Sequence, residues 1–197
     1  MPVIVLKLGG SLMHSKELVA WLENIFSRTR NNIIIVVPGG GEFAENIREA
    51  QRQLNFNNKI AHKMALLAMC QYGYFLTGIN ADIKILKNTK IACLDKNIGG
   101  SFLWLPDDLL ENISEITENW DFSSDSISLW LATYLTADKL VIVKSKKIIY
   151  NQSRIKERIV NEDVDKGFKK NINKYKGEIF FLEKTEHYQL ESILLSN

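Results

Sequence analysis

The chain has 197 residues, of which 46% are hydrophobic and 24% are charged, and 25 basic and 23 acidic side chains leave a formal net charge of +2. These values are typical of one soluble globular domain over residues 1–197, and the near balance of charge argues against a nucleic-acid-binding surface. No apolar run approaches the roughly 18–20 residues that cross a bilayer, and no signal segment is recognisable. Cys70 and Cys93 show no metal-binding spacing, so we expect a cytoplasmic protein.

The chain begins with a predicted buried strand that carries a lysine. Val3–Leu8 is apolar apart from Lys7, and Gly9, Gly10 and Ser11 follow it. The glycines allow a sharp turn and a close approach to a ligand, and Ser11 is placed to cap the next helix. A lysine in a buried strand is costly unless its ammonium reaches solvent or an anion. Lys7 is therefore either a side chain that extends to solvent or a ligand of phosphate.

Two strand–glycine turn–helix units follow one another near the start of the chain. The first strand leads to a helix predicted over residues 15–30. A β-branched strand over residues 33–37 then leads to Gly39, Gly40 and Gly41 and a second amphipathic helix. Such units favour parallel strands joined by helices, which gives an α/β sandwich. Because ligands bind at the carboxyl ends of parallel strands, we expect both glycine turns on one ligand-binding rim.

One later helix and one later strand carry charged residues to the same rim. The helix begins at Ser123 or Ser124, so Asp125 lies in its first turn, where the helix dipole favours a carboxylate. A buried strand over residues 140–143 places Lys144 at its carboxyl end. The other predicted elements are a buried helix over 57–73 that stops at Gly73, with Gly78 breaking up the segment beyond it, a strand over 91–94, an apolar segment over 102–105, an acidic segment over 107–119, a strand over 179–182 and a terminal helix near 187–195.

These residues favour phosphoryl transfer over other chemistry. Glycine turns expose N–H groups that hold phosphates, and lysines neutralise the charge that moves during transfer. An aspartate between two lysines can hold both in place, which fits Lys7, Asp125 and Lys144. The common GxxxxGKS or GxxxxGKT nucleotide loop is absent. The weak dinucleotide pattern Gly39-x-Gly41-x-x-Ala44 lacks its later acidic residue, and no histidine or carboxylate cluster has metal-ligand spacing.

The combination of motifs resembles the amino acid kinase superfamily. The resemblance rests on VLKLGGSL at 5–12, VVPGGGEFAENIREAQ at 36–51 and SSDSISLWLAT at 123–133. A narrower match, to small archaeal and methylotroph kinases related to aminomethylfuran phosphate kinase, rests on residues 61–69, 71–73, 120–121, 124–127, 130–132 and 140–145. The resemblance covers about residues 1–150. It implies a three-layer αβα sandwich with a mainly parallel central sheet, ATP and Mg²⁺ as cofactors, and a shortened carboxyl-terminal nucleotide-side part at about 140–197.

The resemblance also implies site residues by position. Lys7, Asp125 and Lys144 would be catalytic, with Asp125 organising the two lysines. The implied ATP-binding residues are Lys7, Gly9, Gly10, Ser11, Lys144 and Ser145, and the implied acceptor-binding residues are Gly39, Gly40, Gly41, His62, Trp120, Asp121 and Ser124. His62 and Trp120 are alternatively core side chains. No residue is expected to ligate a metal directly.

The narrower match implies that the enzyme converts a phosphate monoester into a diphosphate. The implied acceptor is (5-(aminomethyl)furan-3-yl)methyl phosphate, in methanofuran biosynthesis. Glu45 stands where isopentenyl phosphate kinases carry a histidine, which counts against a terpenoid acceptor. Isopentenyl phosphate, UMP, an amino acid carboxylate and carbamate remain alternative acceptors. Lys146 and Lys147 stand where relatives carry Asp-Gly, so a ligand-binding member without turnover is a further alternative. The superfamily implies a homodimer or a larger homo-oligomer.

Overall fold

The computed structural model describes residues 1–26, 31–87, 99–107, 119–147 and 164–196. The strands of these segments are β1 (Val3–Leu8), β2 (Ile33–Pro38), β3 (Lys84–Leu86), β4 (Gly100–Trp104), β5 (Lys139–Lys144) and β6 (Glu178–Glu183). The α-helices are α1 (Glu17–Phe26), α2 (Gly41–Leu54), α3 (Asn58–Ile79), α4 (Ser124–Tyr134), α5 (Lys166–Asn171) and α6 (Leu190–Leu195). Short 3₁₀ turns cover Gly10–Leu12, Ile172–Lys174 and Lys184–Gln189. The strands form one parallel sheet in the order β3-β4-β2-β1-β5-β6.

Helices cover both faces of this sheet. On one face, α1 and α6 share an apolar core with Ile4, Leu6 and Leu8 of β1. On the other face, α4 and α5 share a core with Val3 and Val5 of the same strand. Successive side chains of a strand point to opposite faces, so β1 contributes to both cores. The arrangement is the predicted three-layer αβα sandwich, and the predicted fold class is confirmed.

The same alternation places two lysines over one face of the sheet. Lys7 continues the row of Val3 and Val5, and Lys144 continues the row that includes Ile142 of the neighbouring strand β5. The register pairs Lys7 with Ile142, so the two lysines lie close together at the carboxyl ends of adjacent strands. Both side chains therefore project towards the layer that contains α4.

Helix α3 is longer than the sequence predicted. It starts after Asn57, whose side chain accepts a hydrogen bond from the backbone N–H of Lys59 at 2.7 Å, and it continues through Gly73 to Ile79. A Cβ at Gly73 would lie 2.4 Å from Cδ2 of Leu105. The glycine is therefore explained by close packing against the sheet layer, and its helix penalty of about 1 kcal/mol relative to alanine does not end the helix.

Three other local expectations differ from the structure or lie outside it. Ser11 does not cap a helix, because it lies in the 3₁₀ turn that follows β1, well before α1 begins at Glu17. Strand β3 was not predicted, since its three residues form too short a pattern. The strand expected over 91–94, the end of the first helix over 27–30 and residues 108–118 of the acidic segment lie outside the described residues. None of the described helices is long and apolar enough to span a membrane.

Candidate active site

The two glycine turns contact each other directly, backbone against backbone. A Cβ at Gly10 would lie 2.1 Å from the backbone nitrogen of Gly41, and a Cβ at Gly39 would lie 2.3 Å from the nitrogen of Gly10. Gly41 adopts a φ of +56°, which favours glycine, and it is the first residue of α2. Because these glycines have no side chains, the turn after β1 and the amino terminus of α2 can lie in direct contact at one rim of the sheet.

A buried aspartate bridges the two lysines at this rim. Oδ1 of Asp125 lies 3.0 Å from Nζ of Lys7, and Oδ2 accepts a hydrogen bond from Nζ of Lys144. The exposed fractions of the Lys7, Asp125 and Lys144 side chains are 8%, 6% and 19%. Lys7 therefore pairs with a buried carboxylate and does not extend to bulk solvent. The structure brings the three predicted catalytic side chains together.

The electrostatics of this cluster keep the aspartate ionised. Burial alone would raise the pKa of Asp125, but the ammonium groups of Lys7 and Lys144 together hold this pKa below its ordinary value. Burial also lowers the pKa of Lys144, and the neighbouring charge of Lys7 lowers it further, while Asp125 and Asp165 act in the opposite direction. The cluster is a carboxylate between two cations, with cationic charge left over for an anionic ligand.

A cleft of about 560 Å³ opens over the cluster. The predicted site residues that line it are Lys7, Gly10, Ser11, Gly40, Gly41, His62, Trp120, Ser124, Lys144 and Ser145. Gly9 and Gly39 are the buried residues of the two turns and do not line the cleft. Asp121 does not line it either, because its carboxylate points outward to Nζ of Lys166 at 3.2 Å. Close packing against Gly10 explains why residue 39 is a glycine, and Asp121 forms an exposed ion pair with Lys166.

Helix α2 supplies a cationic side chain at the outer end of the cleft. The guanidinium carbon of Arg48 lies 4.5 Å from the centre of the Trp120 ring, and Nη1 of Arg48 donates to Glu45 at 2.7 Å. The indole N–H of Trp120 donates to Oε1 of Gln51 at 2.5 Å. Trp120 was predicted to bind the acceptor, and Arg48 covers one face of its ring. Arg48 is itself a cleft residue.

Sequence reasoning missed two residues of this region, Arg48 and Asp165. Arg48 follows Gly41 and Glu45 at helical spacing on the cleft side of α2. The helical periodicity of this segment could therefore have identified Arg48 from the sequence. Asp165 accepts hydrogen bonds from the first turn of α4. It precedes a helix of only six residues, and no sequence pattern marks it. Among the described residues, no group of three or more histidines, cysteines and carboxylates could hold a metal ion.

Comparisons with known proteins agree with this architecture. The profile of the amino acid kinase family matches residues 2–86. The chain is 30% identical over 158 residues to (5-(aminomethyl)furan-3-yl)methyl phosphate kinase from Methanocaldococcus jannaschii, covering 75% of this chain and 68% of that protein. The fold is similar to that of uridylate kinase from Archaeoglobus fulgidus, with a TM-score of 0.60, 15% identity and coverage of 98% of this chain and 94% of the other. UMP kinase from Bacillus anthracis gives a TM-score of 0.65 at 10% identity, with coverage of 99% and 92%.

The parallel αβα fold and the lysine–aspartate–lysine cluster at paired glycine turns suit phosphoryl transfer, and the kinase relative places the chain among the phosphotransferases. The kinase from Methanocaldococcus jannaschii shows to which family of phosphotransferases the chain belongs, because the alignment covers more than two thirds of that protein. The chain belongs to the amino acid kinase family and is a kinase of that family.

Proposed function

We propose that this kinase uses ATP and Mg²⁺ to convert a small phosphate monoester into a diphosphate, and that the acceptor is the aminomethylfuran phosphate named for its relative. The observation that carries the proposal is the bridge from Asp125 to Lys7 and Lys144 on the floor of the cleft. Two ammonium groups at one point suit a reaction in which the charge of a phosphoryl group is redistributed.

The donor side of the cleft fits a nucleoside triphosphate. Gly10 and Ser11 line the cleft beside the cluster, and Lys7 and Lys144 would neutralise phosphate oxygens there. Bound ATP supplies the γ-phosphoryl group, whose bond to the ADP oxygen breaks as a bond to the acceptor oxygen forms. Mg²⁺ bound together with ATP would neutralise phosphate charge in the cleft beside Lys7 and Lys144.

The acceptor side of the cleft fits an anionic group with a cationic tail. Gly40 and Gly41 line the cleft where α2 begins, and the N–H groups of a helix amino terminus favour an anion. Further along α2, Glu45 faces the cleft and would attract an ammonium group. Arg48 forms an ion pair with Glu45 at 2.7 Å, which orients this carboxylate. This order of charges supports a phosphate monoester that carries an amine.

A panel of acceptors tests the proposal. The purified protein is incubated with MgATP and the aminomethylfuran phosphate, isopentenyl phosphate, UMP, acetylglutamate or carbamate, and ADP release is followed in a coupled assay. The proposal expects ADP with the furan phosphate at a rate far above that with the others. Lys7→Ala should remove the activity by orders of magnitude, whereas Lys147→Ala, an exposed lysine outside the cleft, should keep it. ADP release with a different acceptor would keep the kinase and overturn this substrate.

Three broader expectations remain predictions. We propose that residues 1–197 form a single kinase domain with a shortened carboxyl-terminal nucleotide-side part, that the protein is a homodimer or larger homo-oligomer, and that it acts in the cytoplasm. Light scattering of the full chain at several concentrations would measure the mass of the assembly. A mass of one chain at all concentrations would contradict the oligomer.

A further inference from the structure

One carboxylate outside the lysine cluster holds the start of α4. Oδ2 of Asp165 accepts hydrogen bonds from the backbone N–H of Ser123 at 2.9 Å, from Oγ of Ser123 at 2.5 Å and from the backbone N–H of Ser126 at 3.2 Å. Oδ1 accepts from Oγ of Ser126 and from the backbone N–H of Phe168 at 2.7 Å. Asp165 thus satisfies amino-terminal groups of two helices, α4 and its own helix α5.

The hydrogen bonds of Asp165 lie on both sides of Asp125 along the chain. Ser123 and Ser126 flank Asp125 in the first turn of α4, so the carboxylate of Asp165 fixes the turn from which Asp125 reaches both lysines. Ser123 is the N-cap residue of α4 but its own side chain makes no capping hydrogen bond, and Asp165 takes over that role. A turn held at several points cannot rotate without breaking more than one hydrogen bond, which keeps Asp125 in one orientation.

The approach of α5 to this turn depends on a glycine. A Cβ at Gly167 would lie 2.5 Å from Oγ of Ser126 and 2.8 Å from the backbone oxygen of Asp121. The backbone N–H of Gly167 also donates to that oxygen at 2.7 Å. The carboxyl-terminal part of the chain is therefore built against the first turn of α4, at the position next to the site.

We propose that Asp165 is a positioning residue for phosphoryl transfer, which holds the first turn of α4 so that Asp125 binds Lys7 and Lys144 together. The proposal rests on the proposed kinase function and goes beyond it, because it makes the carboxyl-terminal segment part of the site. Asp165 itself lies outside the cleft lining and contacts no reacting group. Its effect passes through Ser123 and Ser126.

Two variants separate positioning from simple helix capping. Asp165→Asn keeps one oxygen, so α5 retains a good N-cap residue, but the amide cannot accept all the hydrogen bonds from α4. Ser126→Ala removes one hydrogen bond to Asp165 and leaves every charge in place. The matched controls are Asp138→Asn, which loses a carboxylate that accepts from the N–H of Val3 at 2.8 Å, and Thr133→Ala, a hydroxyl near the end of α4.

Steady-state kinetics provide the first readout. We expect Asp165→Asn to lower kcat about 10- to 100-fold with little change in KM for either substrate, as misplaced catalytic groups do. Ser126→Ala should lower kcat about fivefold, the effect of one hydrogen bond. In the double variant, the fold-decrease of kcat should be smaller than the product of the two single fold-decreases, because both substitutions act through one contact. Wild-type kcat in both single variants would overturn the proposal.

Titration of Lys144 provides a readout that needs no substrate. The charged groups that face Lys144 are Lys7, Asp125 and Asp165. In protein labelled with ¹³C at lysine Cε, Ser126→Ala should move the Lys144 titration to lower pH, because a displaced Asp125 supports the ammonium less. The controls should leave it in place. An unchanged titration in Ser126→Ala would overturn the proposal, and this result does not depend on activity. If wild-type protein transfers phosphate to no acceptor, the proposed function fails and the titration still decides the role of Asp165.

Discussion

Replacement of Asp125 by asparagine removes the charge that holds two lysines on the floor of the cleft. The amide keeps the shape of the side chain, and its single carbonyl oxygen can still accept a hydrogen bond from one ammonium group. The other lysine then faces an amide nitrogen, which cannot accept a hydrogen bond. Because Lys7 and Lys144 are both largely buried, the substitution leaves two like charges near each other without compensation.

The structure sets the size of the effect on stability. At the 3.0 Å separation of Asp125 and Lys7, an effective dielectric constant of about 20 gives an attraction of about 5.5 kcal/mol before desolvation. Removal of one partner from a buried pair typically costs about 3–5 kcal/mol. Lys144 is 19% exposed and can relax into the cleft, so we expect the lower end of that range, about 3 kcal/mol of unfolding free energy.

The effect on catalysis follows from the same geometry. Both lysines lose their shared anchor, and loss of one preorganised charged donor lowers kcat about 10²- to 10³-fold. Urea unfolding followed by circular dichroism measures the first quantity, and steady-state ADP release measures the second. Asp82→Asn, at an exposed site between α3 and β3, is the matched control and should change neither.

The stability difference also has a predicted pH dependence. The pKa of Asp125 in the folded protein lies below its ordinary value of 3.8, which the unfolded chain retains. The stabilisation by Asp125 is therefore fully present above about pH 4 and is lost as the pH falls through the lower folded pKa. Asp125→Asn should consequently be less stable than wild type at pH 7 and pH 5, with a gap that narrows only below about pH 4. A gap below 1 kcal/mol at pH 7 together with wild-type kcat would refute this account of the cluster.

Three further predictions concern the turns, the second lysine and the outer end of the cleft. Gly10→Ala places a Cβ 2.1 Å from the nitrogen of Gly41 and should cost about 2–3 kcal/mol in urea unfolding and abolish activity, whereas Gly78→Ala, with open space around it, should stabilise α3 by about 0.5–1 kcal/mol. Because burial and Lys7 lower the pKa of Lys144, kcat/KM should begin to fall with rising pH at a pH below 10.5, the ordinary pKa of a lysine. Lys144→Arg should remove this alkaline limb from the pH profile. Arg48→Ala should raise the acceptor KM about tenfold, equivalent to about 1.4 kcal/mol, and leave the ATP KM unchanged in initial-rate measurements.

Each of these predictions has a contrary result. Equal stability of Gly10→Ala and wild type would show that the glycine turns do not depend on direct contact. An alkaline limb that persists in Lys144→Arg would assign it to another group. A rise of the ATP KM in Arg48→Ala equal to that of the acceptor KM would place Arg48 between the two substrates and not at the acceptor end.

Local sequence patterns predicted the elements that carry the site. The buried strand around Lys7 and the glycines after it have a strong pattern, because a parallel strand buried on both faces is continuously apolar. The alternation of side chains along β1 and β5 explains why Lys7 and Lys144 point to the same face. The rule that ligands bind at the carboxyl ends of parallel strands then predicted that both lysines lie on one rim.

The remaining features depend on contacts that no local pattern contains. Gly10 and Gly39 were predicted to bind ligands from their place in the turns, and only the tertiary structure shows that the contact between the two turns also requires glycine at both positions. Gly73 was expected to end a helix, and packing against Leu105 overrode its low helix propensity. Asp165 lies 39 residues after Ser126 in sequence, so only the tertiary structure shows that it caps α4. These are long-range effects, and sequence propensity does not report them.

The proposed reaction joins the γ-phosphoryl group of ATP to the phosphate of an aminomethylfuran phosphate. Phosphorus NMR of the purified protein with MgATP and that monoester tests this reaction most directly, because the product contains a new phosphoanhydride. The account predicts that the monoester signal is replaced by two coupled diphosphate signals as ADP appears, and that Asp125→Asn slows this change about 10²- to 10³-fold. An unchanged monoester signal, with or without release of inorganic phosphate from ATP, would contradict the proposed reaction.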